Sequence, residues 1–151
     1  MNKYEIAALT PTFESYVRIL NDSVNLIEKT NNLKTLLGRF DDAMECYKWI
    51  ISTINSGYPA KFSSEDEGFE ESLKREINLN VVRIAKNLYN MGTVKIRELK
   101  TPSSKIKRID KLIEELNLCL QSLKPHFNKS NAESEINELI NILIKLKHTL
   151  Q

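Results

Sequence analysis

The stretch LKTLLGRFDDAMECYKWIISTI, residues 33–54, decides the fold class. Leu33, Leu36, Leu37, Phe40, Met44, Tyr47, Ile51 and Ile54 recur mostly at intervals of three and four. That spacing gathers them on one face of a helix, whereas a half-buried strand would alternate at every second residue. The apolar phase passes straight through Gly38, at a propensity cost of about 1 kcal/mol relative to Ala. Asn31 and Asn32 punctuate the start, Gly57 is the expected stop, and Tyr58-Pro59 marks the exit. A helix is therefore predicted over residues 32–56.

The same grammar extends in both directions. Upstream, Thr10 has N-cap chemistry and Pro11 suits position N1, where its missing N–H costs nothing. Phe13, Tyr16, Val17, Leu20, Val24 and Ile27 then predict a helix over 11–30. Downstream, SGYPAKFSSEDEG (56–68) is the one long non-helical stretch, in which Ser64 and Glu67 have capping-box spacing and Glu65 and Asp66 suit a helix start. Phe69, Leu73, Ile77, Val81, Ile84, Ala85 and Leu88 predict a third helix over 65–91. It ends at Gly92 or continues, bent, to Lys100, because Ile96 and Leu99 stay in phase. After the break at Thr101-Pro102-Ser103-Ser104, Ile106, Ile109, Ile113, Leu116, Leu120 and Leu123 predict a fourth helix over 103–123, closed by Lys124-Pro125. Ser130 and Glu133 form a second capping-box candidate, and Ile136, Leu139, Ile140, Leu143, Leu146 and Leu150 predict a fifth helix over 131–150. Lys145, Lys147 and His148 sit at its C-terminal end, where cations are favoured. The expected architecture is all-α, a bundle of about five helices with mainly antiparallel neighbours, in a single domain over 1–151.

Composition sets the outer bounds. The 151 residues are 41% hydrophobic and 28% charged, as in a globular chain, and a formal net charge of +2 is too small to imply a polyanionic partner by itself. No apolar run approaches the roughly 20 residues of a membrane-spanning helix, and the start MNKYEIAALTPTFESY lacks the long apolar core of a secretory leader. These features predict a cytoplasmic protein with no membrane association. Cys46 and Cys119 each fall inside an apolar stripe, and are read either as two buried reduced thiols or as one disulfide.

Gly38-Arg39-Phe40-Asp41-Asp42-Ala43-Met44-Glu45-Cys46-Tyr47 resembles the second helix of a tetratricopeptide repeat, with Ala43 and Tyr47 in the small and aromatic places of that family. The resemblance implies helix pairs that bind peptides in a groove, and so an adaptor role. It covers residues 38–47 only. A period of about 34 residues would put the counterparts of Gly38, Ala43 and Tyr47 at Ser72, Ile77 and Val81, which depart from the pattern. LKTLLGRFDDA together with LKTPSSKIKRIDKLIEEL is similar to helical segments of uncharacterised proteins from Gram-positive bacteria and their phages, which implies a bacterial or phage setting and no particular activity.

Little in the sequence carries chemistry. The two histidines, His126 and His148, stand outside any H-x-x-x-H or H-E-x-x-H spacing, so neither a metal site nor a cofactor is expected. His126 reads as a surface loop residue. There is no G-x-x-x-x-G-K-[ST], G-x-G-x-x-G or G-x-S-x-G, and no Arg precedes a His at the four-to-six-residue separation found in helical HEPN ribonucleases. Asp41-Asp42, Glu70-Glu71 and Glu114-Glu115 are adjacent pairs, and neighbours on a helix diverge by about 100°, so they read as solvated faces rather than acid–base dyads.

One cluster stands out. Lys95, Arg97, Lys100, Lys105, Lys107, Arg108 and Lys111 are set against Glu98 and Asp110 only. Lys105, Lys107 and Arg108 fall in the first turns of a helix, where cations oppose the dipole. An external acidic partner, a phosphate or the acidic 65–71 segment would compensate them, and a solvated charge run is the alternative reading. Trp49, off the main stripe of its helix, is either a second-face core residue or part of a binding surface. The expected function is a non-enzymatic protein–protein interaction or adaptor module of bacterial or phage origin. Its candidate partner-binding residues are Trp49, Arg97, Lys107, Arg108 and Lys111, facing another protein or a second copy of the chain. The alternative is a nucleic-acid-associated helical protein using the basic 95–111 segment. An enzyme whose site exists only in an oligomer is a third reading.

Overall fold

The structure is a computed structural model that describes residues 1–60 and 68–151. Among the described residues it is all-α, with five helices, 84% helical content and no strand. The helices are α1 (Lys3–Ile27), α2 (Leu33–Asn55), α3 (Gly68–Glu98), α4 (Pro102–Gln121) and α5 (Lys129–Leu150). The Ser64–Glu67 capping box, with Glu65 and Asp66, falls outside the described residues. The chain divides into two compact units, Met1–Leu73 and Lys74–Gln151, with the division inside α3.

In the first unit α1 and α2 form an antiparallel hairpin. Helix α1 begins at Lys3, not at the Thr10-Pro11 pair, and Pro11 lies in its interior. The stronger start signal is Asn2. Its Oδ1 accepts from the backbone N–H groups of Tyr4 (3.0 Å) and Glu5 (2.9 Å), while its Nδ2 donates to Glu5 Oε1 at 2.8 Å. Pro11 removes the hydrogen bond that Ala7 would accept, an interior cost of about 3 kcal/mol. Thr10 helps to hold the backbone there. Its hydroxyl donates to the Ile6 carbonyl at 2.8 Å, which leaves its oxygen to accept from Tyr58 Oη at 2.9 Å. Tyr58 reaches that position because α2 ends in a Schellman turn. Gly57 (φ +109°) donates to Ile54 O and Tyr58 N–H returns to Thr53 O. The Tyr58 ring then stacks on Phe13 with centroids 4.3 Å apart.

Helix α2 starts where expected, its N-cap Asn32 accepting from Thr35 N–H at 3.0 Å, and it runs unbroken through Gly38. Its fully enclosed residues are Leu36, Ala43 and Ile50, so the core face is centred to one side of the predicted stripe, and Met44, Ile51 and Ile54 are only half-buried. Phe69, at the start of α3, packs on Tyr47 with centroids 4.3 Å apart.

The second unit is a three-helix bundle. Helix α3 continues through Gly92 to Glu98, which resolves the two predicted endings in favour of the longer helix. It is antiparallel to α4, since Asn78 meets Lys124 and Gly92 meets Leu112. It runs alongside α5 in the same direction, since Asn78 bonds Asn128 and Lys86 pairs with Glu135. Ile77, Val81, Ala85, Ile109, Leu116, Cys119, Ile136 and Leu143 are fully enclosed. The Ser130–Glu133 box does not form. Helix α5 starts at Lys129 with Asn128 at the N-cap position and no side-chain capping bond. The Asn128 amide is recruited elsewhere: its Oδ1 accepts from Asn78 Nδ2 at 3.2 Å and its Nδ2 donates to Arg75 O at 3.4 Å.

Asn78 is wholly buried and treats Lys124 as a strand would treat its neighbour. Its Nδ2 donates to Lys124 O at 2.8 Å and its Oδ1 accepts from Lys124 N–H at 2.7 Å. Asn78→Ala should lower stability by about 2–3 kcal/mol in urea titration, because each buried polar group left unpaired costs about 1–3 kcal/mol. Asn80→Ala should cost less than half of that, since among the described residues the Asn80 amide bonds within its own helix, to Glu76 O and Arg83 Nε.

The interior glycines give a second test. A Cβ on Gly38 would meet nothing within 4 Å, whereas one on Gly92 would come within 2.6 Å of Leu112 Cδ2 and 3.3 Å of its Cγ. Gly38→Ala should stabilise by about 0.5–1 kcal/mol through helix propensity alone. Gly92→Ala should destabilise by about 1–2 kcal/mol, overpacking against a buried leucine having outweighed the same propensity gain. Thermal unfolding of the two variants side by side reads the difference in sign.

Candidate functional site

The start of α4 is built locally. Thr101 is the N-cap and its Oγ1 accepts from Ser104 N–H at 3.2 Å, Pro102 fills the first helical position, and Ser104 Oγ returns to Thr101 O at 3.0 Å. No acidic residue occupies the first turn. The helix then alternates cations with core residues, so that Ile109, Leu112, Leu116 and Cys119 are buried while Arg108, Lys111 and Glu115 follow one another along an adjoining stripe.

That stripe faces a matching one on α3. Leu88, Met91, Gly92 and Lys95, at helical spacings of three and four, line a cleft of about 200 Å³ together with Arg108, Lys111, Leu112 and Glu115 from α4. Gly92 sets its depth: without a Cβ, the α3 backbone lies against Leu112 and the floor is apolar. Lys95, Lys111 and Met91 are exposed at the rim, and Arg108 and Glu115 are half-buried. None of Lys95, Arg108 and Lys111 forms an ion pair with another described residue. Ion pairs of this unit among the described residues include Lys86–Glu135 at 3.2 Å, Lys129–Glu133 at 3.6 Å and Lys147–Asp110 at 2.8 Å. The last draws Asp110 toward α5, so one of the two carboxylates that offset the basic segment in sequence is already engaged.

The five candidate residues therefore separate. Arg108 and Lys111 share the cleft. Arg97 and Lys107 are exposed, outside its lining, with no ion pair among the described residues. Trp49 belongs to the first unit, half-buried, its ring stacked on Tyr16 with centroids 4.4 Å apart and tilted toward Phe13 at 6.2 Å. Its contacts are those of a second-face residue in the α1–α2 hairpin. Lys95, Met91, Gly92 and Glu115 are cleft residues that the sequence left unassigned. The pair Glu114-Glu115 also separates, Glu114 being exposed while Glu115 turns into the cleft. The signal for these residues was there in principle, as the 88-91-92-95 spacing, but it became a wall only once Leu112 was known to lie opposite.

Other reactive side chains are structural. His126 is half-buried, its Nδ1 3.0 Å from Asn128 Oδ1 and its ring 4.0 Å from that of Phe127, so it is part of the polar network under the α4–α5 turn rather than a solvated loop residue. Among the described residues, no group of three or more His, Cys, Asp or Glu is placed to hold a metal ion, and no helix is long and apolar enough to cross a membrane.

Both cysteines are free and buried. Burial pushes the Cys119 thiol up to about 11, with the nearby Glu115 carboxylate adding to the effect, and burial likewise raises Cys46. A raised thiol pKa in the folded state favours folding below about pH 9, where both states are protonated, and this contribution falls as pH climbs from about 9 toward 11 because the unfolded chain ionises first. Both thiols should resist a thiol-reactive disulfide reagent at pH 8 in the native protein and react fully in denaturant. Rapid titration of either thiol in the folded state would contradict this packing.

Compared with known proteins, the chain matches no family model, no curated protein and no solved structure.

Proposed function

We propose that this chain is a non-enzymatic protein–protein interaction module, using the basic surface of its second unit as a charge complement to its partner. The observation that carries the reading is the set of cations with no ion pair among the described residues at the α3–α4 cleft, Lys95, Arg108 and Lys111, beside an apolar floor. Lys95 is favoured by the C-terminal end of α3, but Arg108 and Lys111 gain no ion pair from any described residue, and a partner outside the fold would supply one. Arg97 and Lys107 extend the positive field and steer the encounter, a role suited to rim charges. Trp49 makes a smaller contribution than its residue type suggests, because one face of its ring is already covered by Tyr16. The resemblance of LKTLLGRFDDA and LKTPSSKIKRIDKLIEEL to helical segments of proteins from Gram-positive bacteria and their phages suggests a bacterial or phage setting.

Replacing Arg97, Lys107, Arg108 and Lys111 together with Glu tests the reading. Unfolding free energy should stay within about 0.5 kcal/mol of the parent, as for surface changes in general. A protein that co-purifies with the parent at low salt should be lost from the variant. If the parent instead retains DNA or RNA, with affinity falling steeply as salt is added, the nucleic-acid reading replaces this one. A marked loss of stability in the variant with partner binding intact would make the cluster structural.

A further inference from the structure

We propose that the α3–α4 cleft docks a short acidic segment of a partner protein, one apolar side chain seated on the floor and carboxylates on either side of it held by Lys95, Arg108 and Lys111. The inference rests on the interaction-module reading and names the partner chemistry of that site.

Size speaks first. A cleft of about 200 Å³ is smaller than the roughly 300–1,000 Å³ of typical small-molecule sites. It suits one inserted side chain better than a cofactor. Its lining is mixed in a particular way, with Met91, Gly92 and Leu112 apolar and three cations set against the single carboxylate of Glu115. Met91 is 63% exposed, an adaptable apolar surface left uncovered at the rim. An occupant that is apolar at its centre and acidic at its flanks would cover the methionine and neutralise the cations together. Arg108, half-buried beside the floor, is the residue able to grip a carboxylate through two parallel N–H donors.

A phosphate polymer fits less well. No aromatic side chain lines the cleft for bases to stack on, and Glu115 would repel phosphate at the same wall. The proposal therefore commits to a protein segment, with nucleic acid as an outcome of the test.

The probe is a fluorescently labelled synthetic peptide with one central Leu flanked on each side by several Glu, titrated with the full chain at low salt. Control peptides carry Ala in place of Leu, or Lys in place of every Glu. A labelled single-stranded oligonucleotide is titrated in parallel. The Leu-centred acidic peptide should bind, weaken as salt rises, and lose about tenfold or more in affinity on Arg108→Glu or Lys111→Glu. Lys145→Glu, exposed on α5 and outside the cleft, should have an effect of less than about threefold. The Ala and Lys peptides should bind more weakly or not at all. Far-UV circular dichroism confirms that each variant retains its helices. Equal binding of the Leu and Ala peptides, equal loss with Lys145→Glu, tighter binding of the oligonucleotide, or no peptide binding would each overturn the proposal. Co-purification of a protein partner with the parent reads the module itself, so a silent peptide beside a retained partner places the failure in this inference alone.

Discussion

A single buried amide organises the second unit. Asn78 exchanges two hydrogen bonds with the backbone of Lys124, at 2.8 and 2.7 Å, and gives a third contact to Asn128. Wholly enclosed, it has no water to fall back on, so displacement would leave unsatisfied polar groups on both sides. Apolar side chains tolerate sliding by a fraction of a turn, but a two-point hydrogen bond does not. The amide therefore pins α3 against the end of α4 and, through Asn128, against the start of α5. The N-cap of α5 forgoes its own side-chain bond because the Asn128 amide is used in this way.

The cleft inherits that register. Asn78 and Gly92 are separated by about 21 Å along α3 at the helical rise of 1.5 Å per residue. With Lys124 held at one end, the antiparallel α4 brings Leu112 opposite Gly92 near the other. A Cβ there would lie 2.6 Å from Leu112 Cδ2, so any other residue would push the leucine side chain aside. The floor is thus apolar and the charged residues on the flanking positions, Lys95 on one helix and Arg108 and Lys111 on the other, are left at the rim. Meanwhile Asp110 turns toward Lys147 on α5, which engages one carboxylate of α4 and leaves Glu115 in the cleft. Among the described residues, the cations left without an ion pair here owe it to packing geometry as much as to composition.

The first unit is held together differently. Around its aliphatic centre of Leu20, Ile27, Leu36 and Ile50 stand aromatic pairs, Phe13 on Tyr58, Tyr16 on Trp49 and Tyr47 on Phe69, and a Tyr58–Thr10 hydrogen bond ties the two helices. That tie depends on the positive φ of Gly57, which turns the chain back after α2. It also explains how α1 passes through Pro11 without ending. The residue that looked like a cap, Thr10, has its hydroxyl committed to the helix interior and to Tyr58.

The sequence by itself determined the helices. Apolar spacing located all five of them, because a helix must present a continuous stripe to whatever covers it, and Asn32, Gly57 and Thr101 marked ends by chemistry that acts within a few residues. It did not determine where α1 and α5 begin, because in both cases a nearby polar side chain was drawn into or out of capping by a distant partner, Tyr58 for Thr10 and Asn78 for Asn128. Nor did it reveal the cleft. Arg108 and Lys111 stood out as cations near a helix start, but Lys95, Met91 and Gly92 lie on another helix, and Glu115 was indistinguishable from a solvated carboxylate. Only tertiary structure decides which stripes face each other. That choice rests on register, set by one buried asparagine and one missing Cβ, neither of which leaves a periodic trace in the chain.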